Sequence, residues 1–186
     1  MARTPSNMIP LGTPIPHFQL VDSVSGGMVA SKDCFGANGL LVMFICNHCP
    51  FVKHMNSELA NLGKDLPKIG IGVVAISAND IESYPEDAPD KMKEVAQKEG
   101  YSFPYLFDEE QNVAKIFEAA CTPDFFLFNG EGKLAYRGQL DDSRPENGLP
   151  VSGRDLRAAA EALSAGETVS PEQRPSIGCN IKWKIG

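Results

Sequence analysis

The chain has 186 residues, which is enough for one domain with a sizeable hydrophobic core. Hydrophobic residues make up 42% of the chain and charged residues 22%, which is ordinary for a globular protein and shows no sign of disorder. The formal net charge of −7 argues against a nucleic-acid partner, because binding to phosphates requires a basic patch.

The N-terminal third predicts a β-hairpin, a buried strand and a helix. Phe18–Val21 and Met28–Val29 flank a turn signal at Ser25–Gly27, which is typical of a hairpin. Leu40–Ile45 is an uninterrupted apolar run, as expected for a strand that is buried on both faces. Apolar residues at helical spacing from Val52 to Leu62 then predict a helix.

Further along, predicted strands and helices alternate. A strand is predicted over 69–76, a helix over 89–99 and a short apolar piece at 103–107. A helix capped by Asp108 follows, with Val113, Ile116 and Phe117 on its inner face. A strand at 125–128, its partner at 134–140 and a helix that begins at Ser152 and Asp155 complete the series. Alternation predicts parallel strands joined by helical crossovers, and the late hairpin adds antiparallel ones. We expect an α/β fold with a central mixed β-sheet, helices on both faces and an N-terminal β-hairpin extension. Residues 1–166 would form this domain, and residues 167–186 an irregular tail that packs on it.

The location of the protein follows from its apolar segments. The longest apolar run, Leu40–Cys46, is too short to cross a bilayer, and no apolar stretch follows the first residues. We therefore expect a soluble, cytoplasmic protein with no membrane partner. An odd number of cysteines in a reducing compartment does not suggest a disulfide framework, and leaves reactive thiols, metal ligands or plain buried cysteines. The five are Cys34, Cys46, Cys49, Cys121 and Cys179.

Cys46 and Cys49 are two residues apart, where a buried strand ends and a helix begins. The unpaired N–H groups and the dipole at a helix N-terminus favour a thiolate, which is the reactive form. We expect Cys46 to be exposed, to be the more acidic thiol and to attack a disulfide, and Cys49 to resolve the mixed disulfide. A protonated His48 would add positive charge beside Cys46.

Other interpretations of the pair remain open. A CxxC pair is also half of a zinc site, for which His54, Cys121 and Cys179 are the remaining candidate ligands. An inert buried pair is the third possibility. The position of the pair at a strand-to-helix junction favours redox chemistry over both.

Two motifs together resemble a known family. The first is Gly12-x-x-x-Pro16-x-Phe18-x-Leu20, then Gly27 and the strand that leads into CxxC; the second is Thr122-Pro123, a strand and Gly132-Lys133-Leu134. This arrangement resembles the redoxin branch of the thioredoxin-like superfamily, which includes the alkyl hydroperoxide reductase/thiol-specific antioxidant (AhpC/TSA) proteins. The resemblance implies a thioredoxin fold and a thiol–disulfide oxidoreductase of cell redox homeostasis without a cofactor. Its partners would be disulfide-containing proteins or small thiols and a cellular thiol reductant.

The resemblance also assigns roles in the loop around Pro123. Thr122 and Pro123 would form a cis-proline loop beside the cysteine pair, which binds the backbone of the substrate. Cys121 would either face the active site as a third redox thiol or be a small buried residue. For Cys179, which lies in a tail that could fold back over the domain, a resolving role and simple packing both remain open.

Departures from the family pattern separate two activities. A peroxiredoxin of this type carries Thr or Ser three residues before its peroxidatic cysteine and an activating arginine. Matching Cys49 to that cysteine places Cys46 where the Thr or Ser should be. The position of the activating arginine falls near Pro123, where this sequence has no arginine. Disulfide exchange is therefore favoured. A cysteine-dependent peroxidase is the first alternative, and a non-enzymatic metal-binding protein is the second alternative. The buried acid that accepts a proton from the second cysteine of thioredoxin is replaced here by Leu40.

Overall fold

The computed structural model describes residues 3–185. Its strands are β1 (Arg3–Pro5), β2 (Gln19–Asp22), β3 (Met28–Ala30), β4 (Gly39–Phe44), β5 (Ile71–Ser77), β6 (Tyr105–Phe107), β7 (Cys121–Thr122), β8 (Asp124–Asn129), β9 (Leu134–Gly138) and β10 (Ile177–Asn180). Its α-helices are α1 (Pro50–Asp65), α2 (Pro89–Glu99), α3 (Asn112–Ile116) and α4 (Arg154–Ser164).

Within residues 3–185, seven strands form one mixed sheet in the order β3-β2-β6-β5-β4-β8-β9. The β4–β5 and β5–β6 pairs are parallel, and the other pairs of this sheet are antiparallel. This is the predicted α/β thioredoxin-like fold. The N-terminal hairpin is also confirmed, and it joins the sheet through the pairing of β2 with β6.

The central strand β4 separates two hydrophobic cores. Leu41 and Met43 belong to the core that also contains buried residues of α1, α2 and α4. Leu40, Val42 and Phe44 point to the opposite face and pack with residues of α3. Every residue of β4 is buried, so the prediction of a strand covered on both faces is confirmed.

The short helix α3 corrects one prediction. Ile116, expected on the inner face, is 61% exposed. The helix begins only at Asn112, after Gln111 in a left-handed conformation, and Val113, Ala114 and Phe117 occupy the buried positions, which leaves Ile116 outside. Asp108 does accept a hydrogen bond from the Ala114 N–H, at 2.8 Å, although it is not the capping residue.

The C-terminal segment also differs from the prediction of an irregular tail. Ile177–Asn180 forms β10, which lies between β1 and β7 in a three-stranded antiparallel sheet. Gly178 permits this packing, because a Cβ atom there would collide with the carbonyl oxygen of Thr122. The tail strand is thereby held directly against the Thr122–Pro123 loop. No helix within residues 3–185 is long and apolar enough to span a membrane.

We predict that Gly178→Ala destabilises the protein by about 1–3 kcal/mol, the usual cost of overpacking a close contact. Denaturant unfolding of the reduced protein measures this change. Gly27→Ala is the matched control, because its Cβ would meet only Ser25 Oγ at an ordinary 3.5 Å. Equal stability of the two variants would contradict the close approach of β10.

Candidate redox site

The turn 46–49 connects β4 to α1 and places both cysteines at the start of the helix. Cys49 is the N-cap residue of α1 and Pro50 occupies the first turn, where its missing N–H costs no hydrogen bond. Cys46 is only 1% exposed and Cys49 is completely buried. The prediction of an exposed Cys46 is therefore wrong, and its sulfur faces Thr122 and His48 instead of solvent.

Thr122 contacts both sulfurs. Cys46 Sγ lies 3.4 Å from Thr122 Oγ1, and Cys49 Sγ lies 3.2 Å from the Thr122 carbonyl oxygen. The predicted cis bond between Thr122 and Pro123 is confirmed. The structure thus brings Cys46, Cys49, Thr122 and Pro123 together as predicted.

The backbone edge of this loop is occupied by the protein's own tail. Thr122 pairs with Cys179 of β10, and the Pro123 carbonyl accepts a 2.6 Å hydrogen bond from Ser176 Oγ. The expectation that this edge binds the substrate backbone is wrong for the arrangement seen here. Cys121 is buried in the same loop, and its thiol donates to the Pro123 carbonyl at 3.5 Å. Burial raises the pKa of Cys121, which leaves it a protonated thiol.

Cys179 is the partner of Cys49 that sequence reasoning left open. The two sulfurs are 2.9 Å apart, and both residues are completely buried. Cys34 lies elsewhere, with its thiol donating to Ala30, and burial raises its pKa to about 11. None of these five cysteines, all within the described residues, is joined to another by a disulfide.

The hydrogen bonds around Cys49 concentrate negative charge on its sulfur. The thiol of Cys46 donates to it, and this bond outweighs burial, which raises the pKa. With the bonds from the Cys179 thiol, the Thr122 side chain and the Val52 N–H, it lowers the pKa of Cys49 to about 5. The same bond raises the pKa of Cys46, as do burial and the nearby charge of Asp87. The pair therefore loses one proton easily and the second with difficulty. The prediction that Cys46 is the more acidic thiol is wrong for this arrangement, because the hydrogen bond between the two sulfurs, with Cys46 as donor, favours the thiolate of Cys49.

Asp87 is a central residue of the site that the sequence did not reveal. Its carboxylate is completely buried and accepts hydrogen bonds from the backbone N–H groups of Asn47 and His48, at 2.7 and 3.2 Å. His48 Nδ1 and Asn79 Nδ2 complete the set, at 2.6 and 2.8 Å. Burial raises the pKa of Asp87, but these donors, His48 first, outweigh it and lower the pKa overall. One feature of the sequence could have indicated this role. Asp87 follows β5, whose C-terminal end lies beside that of β4, and the CxxC turn begins at that end of β4.

The ring of His48 is directed to Asp87 more closely than to Cys46. Its Nδ1 atom lies 4.0 Å from Cys46 Sγ, and the ring stacks on Tyr84 at a centroid distance of 5.2 Å. The hydrogen bond to Asp87 raises the pKa of His48. The positive charge predicted beside Cys46 is therefore balanced by a carboxylate.

The site also contains a possible metal-ligand set. One ligand atom each from Cys46, His48 and Asp87 lies within 4.8 Å of the others. The His48 nitrogen that faces Cys46, Nδ1, also bonds to Asp87. The oxygens of Asp87 already accept hydrogen bonds from four donors. A metal would have to displace these bonds, so the geometry fits a hydrogen-bonded thiol site better than a metal centre.

The arginines bond to groups outside the cysteine cluster. Their partners are Glu146 for Arg3, Ile9 and Gln173 for Arg137, Gln139 for Arg144, Asp142 for Arg154 and Arg174, and Glu58 for Arg157. Arg137 lies in β9, where it bonds to the Ile9 carbonyl and to Gln173.

A dithiol at the start of the first long helix, beside a cis-proline loop on a mixed sheet, defines a thioredoxin-like redox protein. The AhpC/TSA family model matches residues 11–137, and the chain belongs to that family. A search of curated proteins found no significant match.

Solved structures extend the similarity over the whole chain. An uncharacterized conserved protein from Geobacillus kaustophilus is 53% identical, with 100% of this chain and 98% of that chain covered and a TM-score of 0.98. A hypothetical protein from Sinorhizobium meliloti is 46% identical, with 98% and 100% covered and a TM-score of 0.96. A putative thiol:disulfide interchange protein DsbE from Chlorobium tepidum shares the fold at 17% identity, with 83% and 98% covered and a TM-score of 0.65.

We predict that the reduced protein loses its first thiol proton with a midpoint near pH 5, from Cys49. Ultraviolet absorbance of the thiolate measures this titration. Cys46→Ala should shift the midpoint upward, because it removes the strongest hydrogen bond to the thiolate. Cys121→Ala is the control and should leave the midpoint unchanged. A low midpoint that survives Cys49→Ala would assign the charge to another cysteine.

We predict that Asp87→Asn lowers the pKa of His48 and destabilises the fold by about 1–3 kcal/mol, since an amide N–H₂ group then faces existing donors. A raised His48 pKa stabilises the fold below the unfolded pKa of about 6.5, and this stabilisation is lost as pH rises through the folded value. The variant should therefore show a flatter dependence of stability on pH in that range.

NMR titration of the His48 ring and unfolding at several pH values measure both effects. Asp33→Asn, at an exposed carboxylate, is the control. An unchanged His48 titration in Asp87→Asn would show that the ion pair does not set its pKa.

Proposed function

We propose that this protein is a thiol–disulfide oxidoreductase that works through the Cys46–Cys49 dithiol/disulfide pair. The observation that carries the proposal is the contact of both sulfurs with one residue, Thr122, at the start of α1. This contact holds the two sulfurs in the same pocket, where a disulfide between them requires little movement. Membership in the AhpC/TSA family supports thiol-based redox chemistry of this kind.

The charge distribution supports a mechanism in which the two cysteines share one proton. Cys46 attacks one sulfur of a substrate disulfide while its proton passes to the Cys49 thiolate, and the leaving sulfur departs as a thiolate. The proton of Cys49 then passes to that leaving thiolate. Cys49 next attacks Cys46 Sγ in the mixed disulfide and releases the second substrate sulfur, which takes up a solvent proton. One substrate disulfide becomes two thiols, and the dithiol becomes the Cys46–Cys49 disulfide.

We propose that a substrate docks on the side of His48, because β10 covers the β7 edge and the neighbouring groove ends at Asn47 and His48, next to the buried Cys46. A groove of about 720 Å³ there is lined by Asn47, His48 and Lys53 and by residues of the segment that contains α2. It contains Lys91 and Lys98, besides acidic residues. A cavity of about 360 Å³ beside α4 lies apart from the cysteines.

The proposed partners follow from this reaction. A disulfide-containing protein or a small disulfide occupies the groove as the oxidised substrate. A cellular thiol reductant then restores the dithiol, so we propose a reducing compartment such as the cytoplasm as the setting.

We predict that mild oxidation of the full chain produces a reversible disulfide between Cys46 and Cys49, found by mass mapping. Cys46→Ser should reduce the rate of insulin disulfide reduction to that of the protein-free control, because the attacking sulfur is lost. Cys49→Ser should trap a mixed disulfide with the substrate on Cys46. Cys34→Ser, at a thiol remote from the pair, is the control and should retain full activity. Full turnover in Cys46→Ser would contradict the mechanism.

A peroxidase is the second candidate, and one observation favours it. The cysteine with the lowered pKa is Cys49, which matches the peroxidatic position of the family. The arginines of the chain, however, have partners outside the site, and peroxide reduction needs donors that polarise the O–O bond. Stopped-flow reaction of the reduced protein with hydrogen peroxide separates the two activities. Rapid peroxide turnover that survives Cys46→Ser, with a sulfenic acid on Cys49, would favour the peroxidase.

A further inference from the structure

We propose that Cys179 is a third redox thiol, which exchanges with the Cys46–Cys49 disulfide to form a buried Cys49–Cys179 disulfide. This inference deepens the proposed function and rests on it. Cys49 would then be the central sulfur of a three-cysteine relay. Cys46 would be its outer partner and Cys179 its inner partner.

The contact between the two sulfurs carries the proposal. Cys49 Sγ and Cys179 Sγ are 2.9 Å apart, although the residues are 130 positions apart along the chain. Two sulfurs at this separation need only a small side-chain movement to reach the covalent distance of about 2.05 Å. Cys121 provides the contrast, since it is buried nearby but directs its thiol to the Pro123 carbonyl at 3.5 Å.

The strand β10 fixes Cys179 in this position from both sides. Cys179 is opposite Arg3 of β1 and opposite Thr122 of β7, so it lies in the middle strand of its sheet. Gly178 lets the strand approach the Thr122 carbonyl, because any side chain there would collide with it. Further along the tail, the Lys182 N–H donates to Asn79 Oδ1 at 2.9 Å. The inner thiol is therefore held beside Cys49 by the backbone and is not placed there by a flexible loop.

The exchange balances without an added oxidant. The thiolate of Cys179 attacks Cys49 Sγ in the Cys46–Cys49 disulfide, so the Cys49–Cys179 bond forms as the Cys46–Cys49 bond breaks. Cys46 leaves as a thiolate and takes up the proton that Cys179 has lost. In the reduced protein, burial first, and then the hydrogen bond and charge of Cys49, raise the pKa of Cys179 to about 12. The two effects of Cys49 disappear once Cys49 is in a disulfide, so oxidation lowers the pKa of Cys179 toward the value that burial alone sets and makes it a better nucleophile.

The inner disulfide would change what the oxidised protein presents to its partners. Cys46 becomes a thiol again, 4.0 Å from His48 Nδ1, whereas the bond itself lies between Cys49 and Cys179, which are both completely buried in the dithiol form. A reductant can then reach the disulfide only after Cys46 has attacked Cys49 and restored the outer bond. The oxidised state should consequently resist reduction more than an ordinary CxxC disulfide does.

The test uses the full chain, oxidised with glutathione disulfide, quenched with acid, alkylated after denaturation and mapped by mass spectrometry. We expect the wild-type protein to yield both Cys46–Cys49 and Cys49–Cys179 linked peptides. Cys179→Ser should yield only the first and should be reduced faster by dithiothreitol. Cys121→Ser is the matched control, because it alters a neighbouring buried thiol and should retain both linkages.

A second pair of variants tests the contact without the outer cysteine. In Cys46→Ser, Cys179 should displace glutathione from Cys49, so the adduct is lost as the Cys49–Cys179 bond forms. The double variant Cys46→Ser/Cys179→Ser should retain the adduct on Cys49, whereas Cys46→Ser/Cys121→Ser should lose it.

The outcomes separate this inference from the proposed function. Wild-type protein with only the Cys46–Cys49 bond, and with Cys179 fully alkylated, would overturn the role of Cys179 and leave the oxidoreductase intact. Wild-type protein with only the Cys49–Cys179 bond, together with insulin reduction that survives Cys46→Ser, would overturn the proposed function and support the inner pair.

Discussion

The buried carboxylate of Asp87 is the interaction on which the rest of the site depends. It accepts both backbone N–H groups between the cysteines, from Asn47 and His48, and so determines the shape of the CxxC turn. Through Asn79, which donates to Asp87 and accepts from Lys182, it also connects this turn to the C-terminal tail. A buried ionised group is tolerated only when its hydrogen bonds are satisfied, so the turn and the tail are ordered together.

The negative charge lies on Cys49 and not on Cys46 chiefly because of the hydrogen bond between the two sulfurs and the burial of Cys46, and the same carboxylate adds to this difference. Asp87 raises the pKa of Cys46 and neutralises the positive charge of His48, which would otherwise favour a thiolate at the first cysteine. Cys49 is farther along the turn, at the N-terminus of α1, where thiol donors from two sides stabilise its thiolate. The hydrogen bond from Cys46, together with an acidic neighbour beside Cys46, thus makes Cys49 the charged sulfur, although both cysteines belong to the same motif.

Local sequence patterns predicted the fold and the part of the site that lies within two short segments. The apolar run at Leu40–Ile45 overlaps the strand β4 in all but one residue at each end, and the CxxC and Thr122-Pro123 motifs located the sulfurs and the loop that contacts them. Asp87 and Cys179 were not predictable in the same way, because their roles depend on contacts between distant segments. The pattern around Ile116 misled for a related reason: apolar spacing indicates a helical face, but Val113, Ala114 and Phe117 take the buried positions and leave Ile116 exposed.

The pairing of β1 with β10 has a consequence for biosynthesis. The cysteine cluster combines a turn at 46–49 with a strand at 177–180, and the strand also pairs with residues 3–5. During translation, the turn, the sheet and the cis-proline loop all leave the ribosome before the residues that cover them. A nascent chain therefore carries Cys46 and Cys49 without Cys179. Until β10 has been synthesised and has paired, these two thiols lack the strand that covers them in the folded protein.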